Sequence, residues 1–190
     1  MPRMDEGQYL TNHFLIAMPS LLDPNFSRGV TYVCQHSKEG AMGIMINRVA
    51  PLTIGDVLAQ MNITTGIETL AAAPVFFGGP VQPERGFVLH DTGGKWDSSF
   101  EISEVLAVTT SRDILAAMAE GKGPRRAIVA LGYAGWSEGQ LEQEMRDNAW
   151  LTANATPGLI FETPLEQRWN AAAALVGIDL SLLSDQAGHA

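Results

Sequence analysis

The chain has 190 residues, 46% hydrophobic and 17% charged, a globular balance at the size of one domain. Its formal net charge of −9 opposes a phosphate backbone, so direct binding to DNA or RNA is not expected; the run "KGPRR" (122–126) and Arg3 are too few to make a groove. The lone Cys34 excludes an internal disulfide and any C-x-x-C motif, and no apolar run is long enough to span a membrane or follow a basic leader, so a cytoplasmic protein starting at Met1 or Met4 is expected.

"HFLIAMP" (13–19) is a short apolar run ended by Pro19 and reads as a buried strand, followed by a loop with an Asp-Pro turn at 23–24. "VTYVCQHS" and "AMGIMINR" flank "KEG", and Gly40 can take the positive φ of a hairpin. Thr53 with Asp56 three residues later starts a short helix. "VFFGG" and "GFVLHD" are strands on either side of a break at "PVQPER"; "GGKWDSS" makes the next break. "FEISEVLAVTTS" is a further strand region, after which Ser111 caps a helix that Gly121 closes.

"RRAIVALGYA" reads as a buried strand leading into a helix over 138–147, on which Leu141 and Met145 share a face and Glu142 and Arg146 form an i,i+4 pair. "GLIFET" is expected to be the last strand. Thr163, Pro164 and Glu166 then supply the N-cap, N1 proline and N3 acid of a helix ending at Gly177, its apolar stripe being Leu165, Trp169, Ala173 and Val176. Strands outnumber helices and several are hairpin-linked. The expected fold is α+β: one domain over 1–190, with a mixed, mainly antiparallel sheet and flanking helices.

The motifs "FLIAMPSLLDPNF", "HSKEGAMGIMINR", "FFGGPVQPERGFVLH" and "LGYAGWSEGQLEQEMRDNAWL", with the C-terminal "RWNAAAALVGIDLSLLSDQAGHA", resemble the AlgH/YqgE family of bacterial proteins from about residue 9 to the end. The resemblance implies a single cytoplasmic α+β domain, an association with regulation of alginate synthesis and a description as transcriptional regulators. It brings no established catalytic residues.

"GWSEG" has the G-x-S-x-G form of a nucleophile elbow, and a strand precedes it and a helix follows. The only later histidine is His189, with Asp179 and Asp185 as the acids, all near the chain end. Ser137 with Gln140 instead makes an S-x-x-Q capping box, so Ser137 is read as a helix cap. Cys34 and His36, at i and i+2 on a strand, would share a face with Tyr32 and could form a thiolate–imidazole pair. A zinc site would need His13, His90 or a carboxylate besides; a core cysteine is the simpler reading, and no metal or cofactor is expected. His90, beside Asp91 at a strand end, is a general-base candidate.

The glycines match neither a dinucleotide fingerprint nor a P-loop, and Glu138 would repel an anion from the turn before the helix at 138–147. As a group, Asn47, Gly79, Pro80, His90, Gly135 and Trp136 fall where strands end, and they are expected to converge on a ligand pocket at one end of the sheet. The function expected is binding of a small ligand or a protein partner, with an indirect effect on gene expression. The alternatives are a hydrolase-like small-molecule enzyme using His90 or Cys34/His36, and a direct DNA-binding regulator, which the acidic charge disfavours.

Overall fold

The computed structural model describes residues 9–183; the expectations placed on Arg3, Asp185, His189 and the Met1/Met4 start lie outside the described residues. Ten strands form one curled sheet. They are β1 (His13–Ala17), β2 (Val30–Ser37), β3 (Gly40–Met45), β4 (Val49–Thr53), β5 (Pro74–Phe77), β6 (Val81–Asp91), β7 (Ser99–Glu101), β8 (Leu106–Thr109), β9 (Ala127–Trp136) and β10 (Trp150–Asn154). Their order is β10-β1-β2-β3-β9-β6-β8-β7, with the β4–β5 pair attached to β9 through β5. All pairings are antiparallel except β5 with β9. The fold is therefore α+β, as expected.

Period-two alternation assigns the two faces. Phe14 and Ile16 of β1 and Ile128 and Ala130 of β9 join a core completed by α5 (Pro157–Phe161) and α6 (Arg168–Ala174). On the other face, Val129 packs with Val57, Leu58 and Leu115 of α1 (Ile54–Gln60) and α3 (Arg112–Ala119). Further along that face, Leu15, Val33 and Trp136 pack with Leu141 of α4 (Gln140–Arg146). A short α2 (Glu68–Ala72) lies between β4 and β5 in sequence. Thr53 and Asp56 make the capping box of α1: the Asp56 amide donates to Thr53 Oγ1 at 3.2 Å, and the Thr53 amide donates to Asp56 at 2.8 Å. Among the described residues no helix is long and apolar enough to cross a membrane.

The centre of the sheet depends on a backbone crossing. Phe76 and Phe77 pair with Ala130 and Leu131 on one edge of β9, whereas Val81 pairs with Tyr133 on the opposite edge. The segment 78–80 must therefore pass over β9 within three residues. A Cβ on Gly79 would stand 2.1 Å from the Tyr133 carbonyl carbon, and one on Gly132 would stand 2.3 Å from the Gly79 oxygen. Glycine is needed here because backbone meets backbone.

Four segments differ from expectation. "PVQPER" is not a break but the first half of β6; a register shift between Val81 and Gly86 and the positive φ of Gln82 disguise it. The stretch after Ser99 holds two strands, because the Ser103 hydroxyl accepts the amides of Val105 and Leu106 and turns the chain. "GLIFET" forms α5 and not a strand, started by Pro157 at its first turn; the edge strand is the preceding β10, which pairs with all of β1. The helix expected from Thr163 begins as a 3-10 turn (Leu165–Gln167), and only Arg168–Ala174 is α-helical.

Candidate functional site

The six residues expected to converge do not. His90 pairs with Ala127 and Trp136 with Ala41, so they sit at opposite ends of β9, nine residues apart. At ~3.3 Å per residue that is about 30 Å. Asn47 closes the 18–29 loop: its Oδ1 accepts the Val30 amide at 2.8 Å and its Nδ2 donates to the Arg28 carbonyl at 2.9 Å. Gly79 and Pro80 belong to the crossing. Only Gly135 and Trp136 line a shared concavity.

Trp136 is 6% exposed, and most of it serves packing. Its indole and that of Trp150 both donate to Glu144 Oε1, at 3.1 and 2.9 Å, with Phe26 stacked against Trp136. Two of the sequence motifs, spanning 14–26 and 131–151, meet in that cluster.

Cys34 and His36 do not share a face. A register shift between Val33 and Gln35 makes Cys34 the extra residue of a bulge. Cys34 points into the core beside Tyr32, where burial pushes its thiol pKa far up. His36 points the other way, to Glu142 of α4, so Glu142 pairs with His36 and not with Arg146. The Leu10 amide donates to His36 Nδ1 at 2.9 Å, leaving Nε2 to carry the proton given to Glu142. Both ring nitrogens are committed, so His36 ties β2 to α4 and to the N-terminal segment.

Ser137 is not the cap. The N-cap of α4 is Gly139, in the left-handed conformation. Gln140 does reach back, accepting the Ser137 amide at 3.0 Å, but Ser137 Oγ also donates to that oxygen and caps no backbone amide.

His90 is 1% exposed and fully bonded. Its Nδ1 donates to the Asp91 carbonyl at 2.7 Å, and its Nε2 meets Thr109 Oγ1 at 2.7 Å. Desolvation lowers its pKa below the ordinary histidine value, partly offset by the Asp91 carbonyl and charge. A base whose native pKa is depressed confers stability that is complete above the unfolded-state pKa, ~6.5, and is lost as pH falls toward the native pKa. We therefore expect the urea midpoint to drop between pH 7.5 and 5.5, and His90→Gln to be less stable at pH 7.5 but to lose less on acidification. An equal acid loss in both proteins would exclude His90 as the source.

The concavity holding Gly135 and Trp136 is an open cleft of about 740 Å³ between β3, β9, β6 and the β7–β8 hairpin. Three aromatic side chains line it, Phe87, Phe100 and Tyr133; the Trp136 indole belongs to the cluster on the opposite face. Arg85, its guanidinium 5.4 Å from the Phe87 ring centre, is the one charged residue among the described residues of the lining. Ser98, Thr110 and Gln35 add polar groups, whereas the Ser99 hydroxyl turns to Thr109 on the opposite face. Sequence reasoning missed Arg85 because it lay in the segment taken for a break.

Among the described residues, no three His, Cys, Asp or Glu side chains gather as a metal site.

The AlgH-like family model matches residues 14–181. A UPF0301 protein of Methylococcus capsulatus is 56% identical over 184 residues, covering 97% of this chain and 98% of the relative. Another, of Thioalkalivibrio sulfidiphilus, is 57% identical over 187 residues, covering 98% and 100%. The solution structure of the AlgH protein from Pseudomonas aeruginosa superposes with a TM-score of 0.80 at 48% identity, covering 100% of both chains. A crystal structure of a Corynebacterium diphtheriae protein shares the fold at a TM-score of 0.72 and 21% identity, covering 92% and 91%. The matched span takes in every strand and helix described above except His13, the first residue of β1, and the chain belongs to the AlgH-like family.

Proposed function

We propose that this chain is a cytoplasmic regulatory protein that works by binding a small amphipathic anion in the aromatic cleft, and that it affects gene expression through a partner and not by touching DNA. The observation that carries the reading is the lining: three aromatic side chains, one arginine and, among the described residues, no carboxylate, on a chain whose net charge is −9. Aromatic walls hold an apolar body with little entropy loss, and a guanidinium pairs with a carboxylate or phosphate by paired hydrogen bonds. The surrounding negative charge excludes most anions that lack the apolar body. The same charge supports an indirect route to any effect on transcription.

Decanoate and its neutral isostere decanamide test this. Decanoate is expected to bind more tightly and to shift amide resonances of Phe100 and Tyr133. Arg85→Gln is expected to weaken decanoate about tenfold, the value of one charge-assisted hydrogen bond, and to leave decanamide unchanged. Equal binding of acid and amide, or resonance shifts confined to another face, would exclude this cleft as an anion site.

A further inference from the structure

Both faces of β6 border a cavity. Arg85 and Phe87 look into the aromatic cleft, whereas Gly86 and Val88 turn to the layer of α1 and α3. A second cavity of about 400 Å³ lies there, within the usual range of ligand pockets, ~300–1,000 Å³. Its walls are Val57 and Met61 from the end of α1, Leu115 of α3, and Val88 and Val129 of the sheet. Gly86 opens it. This glycine stands at the middle of an 11-residue strand with a negative φ, and a Cβ there would meet only Leu131 Cδ2, at 4.0 Å. Neither backbone conformation nor a close backbone approach calls for glycine here, as both do at Gly79. A glycine inside a strand weakens it, and what the missing side chain leaves at this position is room for a ligand.

Few polar side chains of the lining are free to bond a ligand. The Thr109 hydroxyl is bonded to both His90 Nε2 and Ser99 Oγ. The Ser111 hydroxyl donates to Asp113 Oδ1 and accepts the Ser98 amide. Glu84, Gln60 and Thr110, all exposed, remain, and Glu84 is the one charged residue among the described residues of the lining. A carboxylate only accepts, and it carries negative charge, so the head group that matches it is a cationic donor. Arg112 stands outside the lining and directs a guanidinium N–H to the Met61 carbonyl at 3.1 Å. We propose that this cavity binds a small amine with a compact apolar body. The body lies between Val57, Val88 and Leu115, and the ammonium meets Glu84 at the mouth. The site is separate from the aromatic cleft and does not depend on the reading of that cleft.

Three probes with the same phenyl body separate the head groups: 2-phenylethylamine, 2-phenylethanol and 3-phenylpropanoate. By titration followed in NMR spectra, the amine is expected to bind about three- to fivefold more tightly than the alcohol, the value of an exposed ion pair, and the acid most weakly. The amine is expected to shift methyl resonances of Val88, Leu115 and Val129 and to leave the rings of Phe100 and Tyr133 in place. Gly86→Leu, whose side chain occupies the cavity, is expected to lower amine affinity about tenfold or more while Tm is kept or raised. Glu84→Gln, at an exposed position, is expected to bring the ratio of amine to alcohol affinity close to one. An acid that binds as tightly as the amine, or a Glu84→Gln protein that keeps the preference, would overturn the choice of an amine. Undiminished binding by folded Gly86→Leu, shifts confined to the Phe100 side of the sheet, or no binding of any probe would overturn the cavity as a site.

Discussion

Gly79→Ala is expected to leave the protein largely unfolded at 37 °C. The added methyl would lie 2.1 Å from the Tyr133 carbonyl carbon and 2.3 Å from the Ala134 nitrogen, and both are backbone atoms of the central strand. A side chain can rotate away from an intruder; a strand paired on both edges cannot do so without giving up its ladder. The cost is on the order of 5 kcal/mol, comparable with the whole stability of many domains. For a chain of this length it corresponds to a fall in Tm of roughly 10–20 °C. Gly139→Ala supplies the contrast. Gly139 also has a positive φ, 76°, but nothing lies within 4 Å of its Cβ position, so only backbone strain of about 1 kcal/mol is expected. Thermal melts of the two variants decide the matter. Similar losses would mean that conformational strain, and not the crossing, explains the glycine at 79.

Arg168→Ala is expected to be nearly as damaging, through a different cause. The Arg168 guanidinium is buried, and its Nε donates to the Thr163 carbonyl at 3.0 Å while Nη1 donates to the Ile46 carbonyl. It also lies 5.3 Å from the Phe76 ring centre. Neither hydrogen-bond acceptor is a carboxylate, so the charge is satisfied by peptide dipoles, and desolvation lowers its pKa from the ordinary arginine value. Alanine strands two carbonyls and leaves a cavity where α6 meets the sheet, for a loss of about 4 kcal/mol in urea unfolding. Arg168→Lys keeps the charge but cannot reach two carbonyls with a planar fork, so little of that loss should be recovered. A variant within 1 kcal/mol of wild type would show that Trp169, whose indole donates to the Ala17 carbonyl at 2.9 Å, anchors the helix alone.

Much of the fold was legible because local signals agreed with tertiary demands. The hairpin at Gly40, the cap at Thr53 and the buried apolar runs of β1 and β9 all follow from composition, run length and turn chemistry. The failures have particular causes. One bulged residue at Cys34 reverses the phase of β2, and no local pattern announces a bulge, so His36 was placed on the wrong face. "GLIFET" has strand-like composition, but Pro157 and its packing against α6 make it helical. The candidate site was the least legible part. Strand ends were expected to gather at one edge, yet β9 is long enough to keep His90 and Trp136 apart. Arg85, the charged group of the cleft, stands in a disguised strand. The aromatic side chains it shares the cleft with, Phe100 and Tyr133, are distant in sequence, and a window of neighbouring residues does not contain them.

The crossing of segment 78–80 over β9 also bears on the order in which the chain can assemble. β3, β5 and β6 all pair with β9, yet all three precede it in sequence. Until residue 136 is available, those strands have no central partner, and their edges are unpaired. Pairing them with β9 closes long loops, so chain entropy is lost before the long-range contacts reward it. Such topologies close slowly and depend on the whole chain. A nascent or truncated chain ending before Ala127 would hold three separate sets of strands with open edges, β1-β2-β3, β4-β5 and β6-β8-β7, a form suited to capture by chaperones and prone to aggregate.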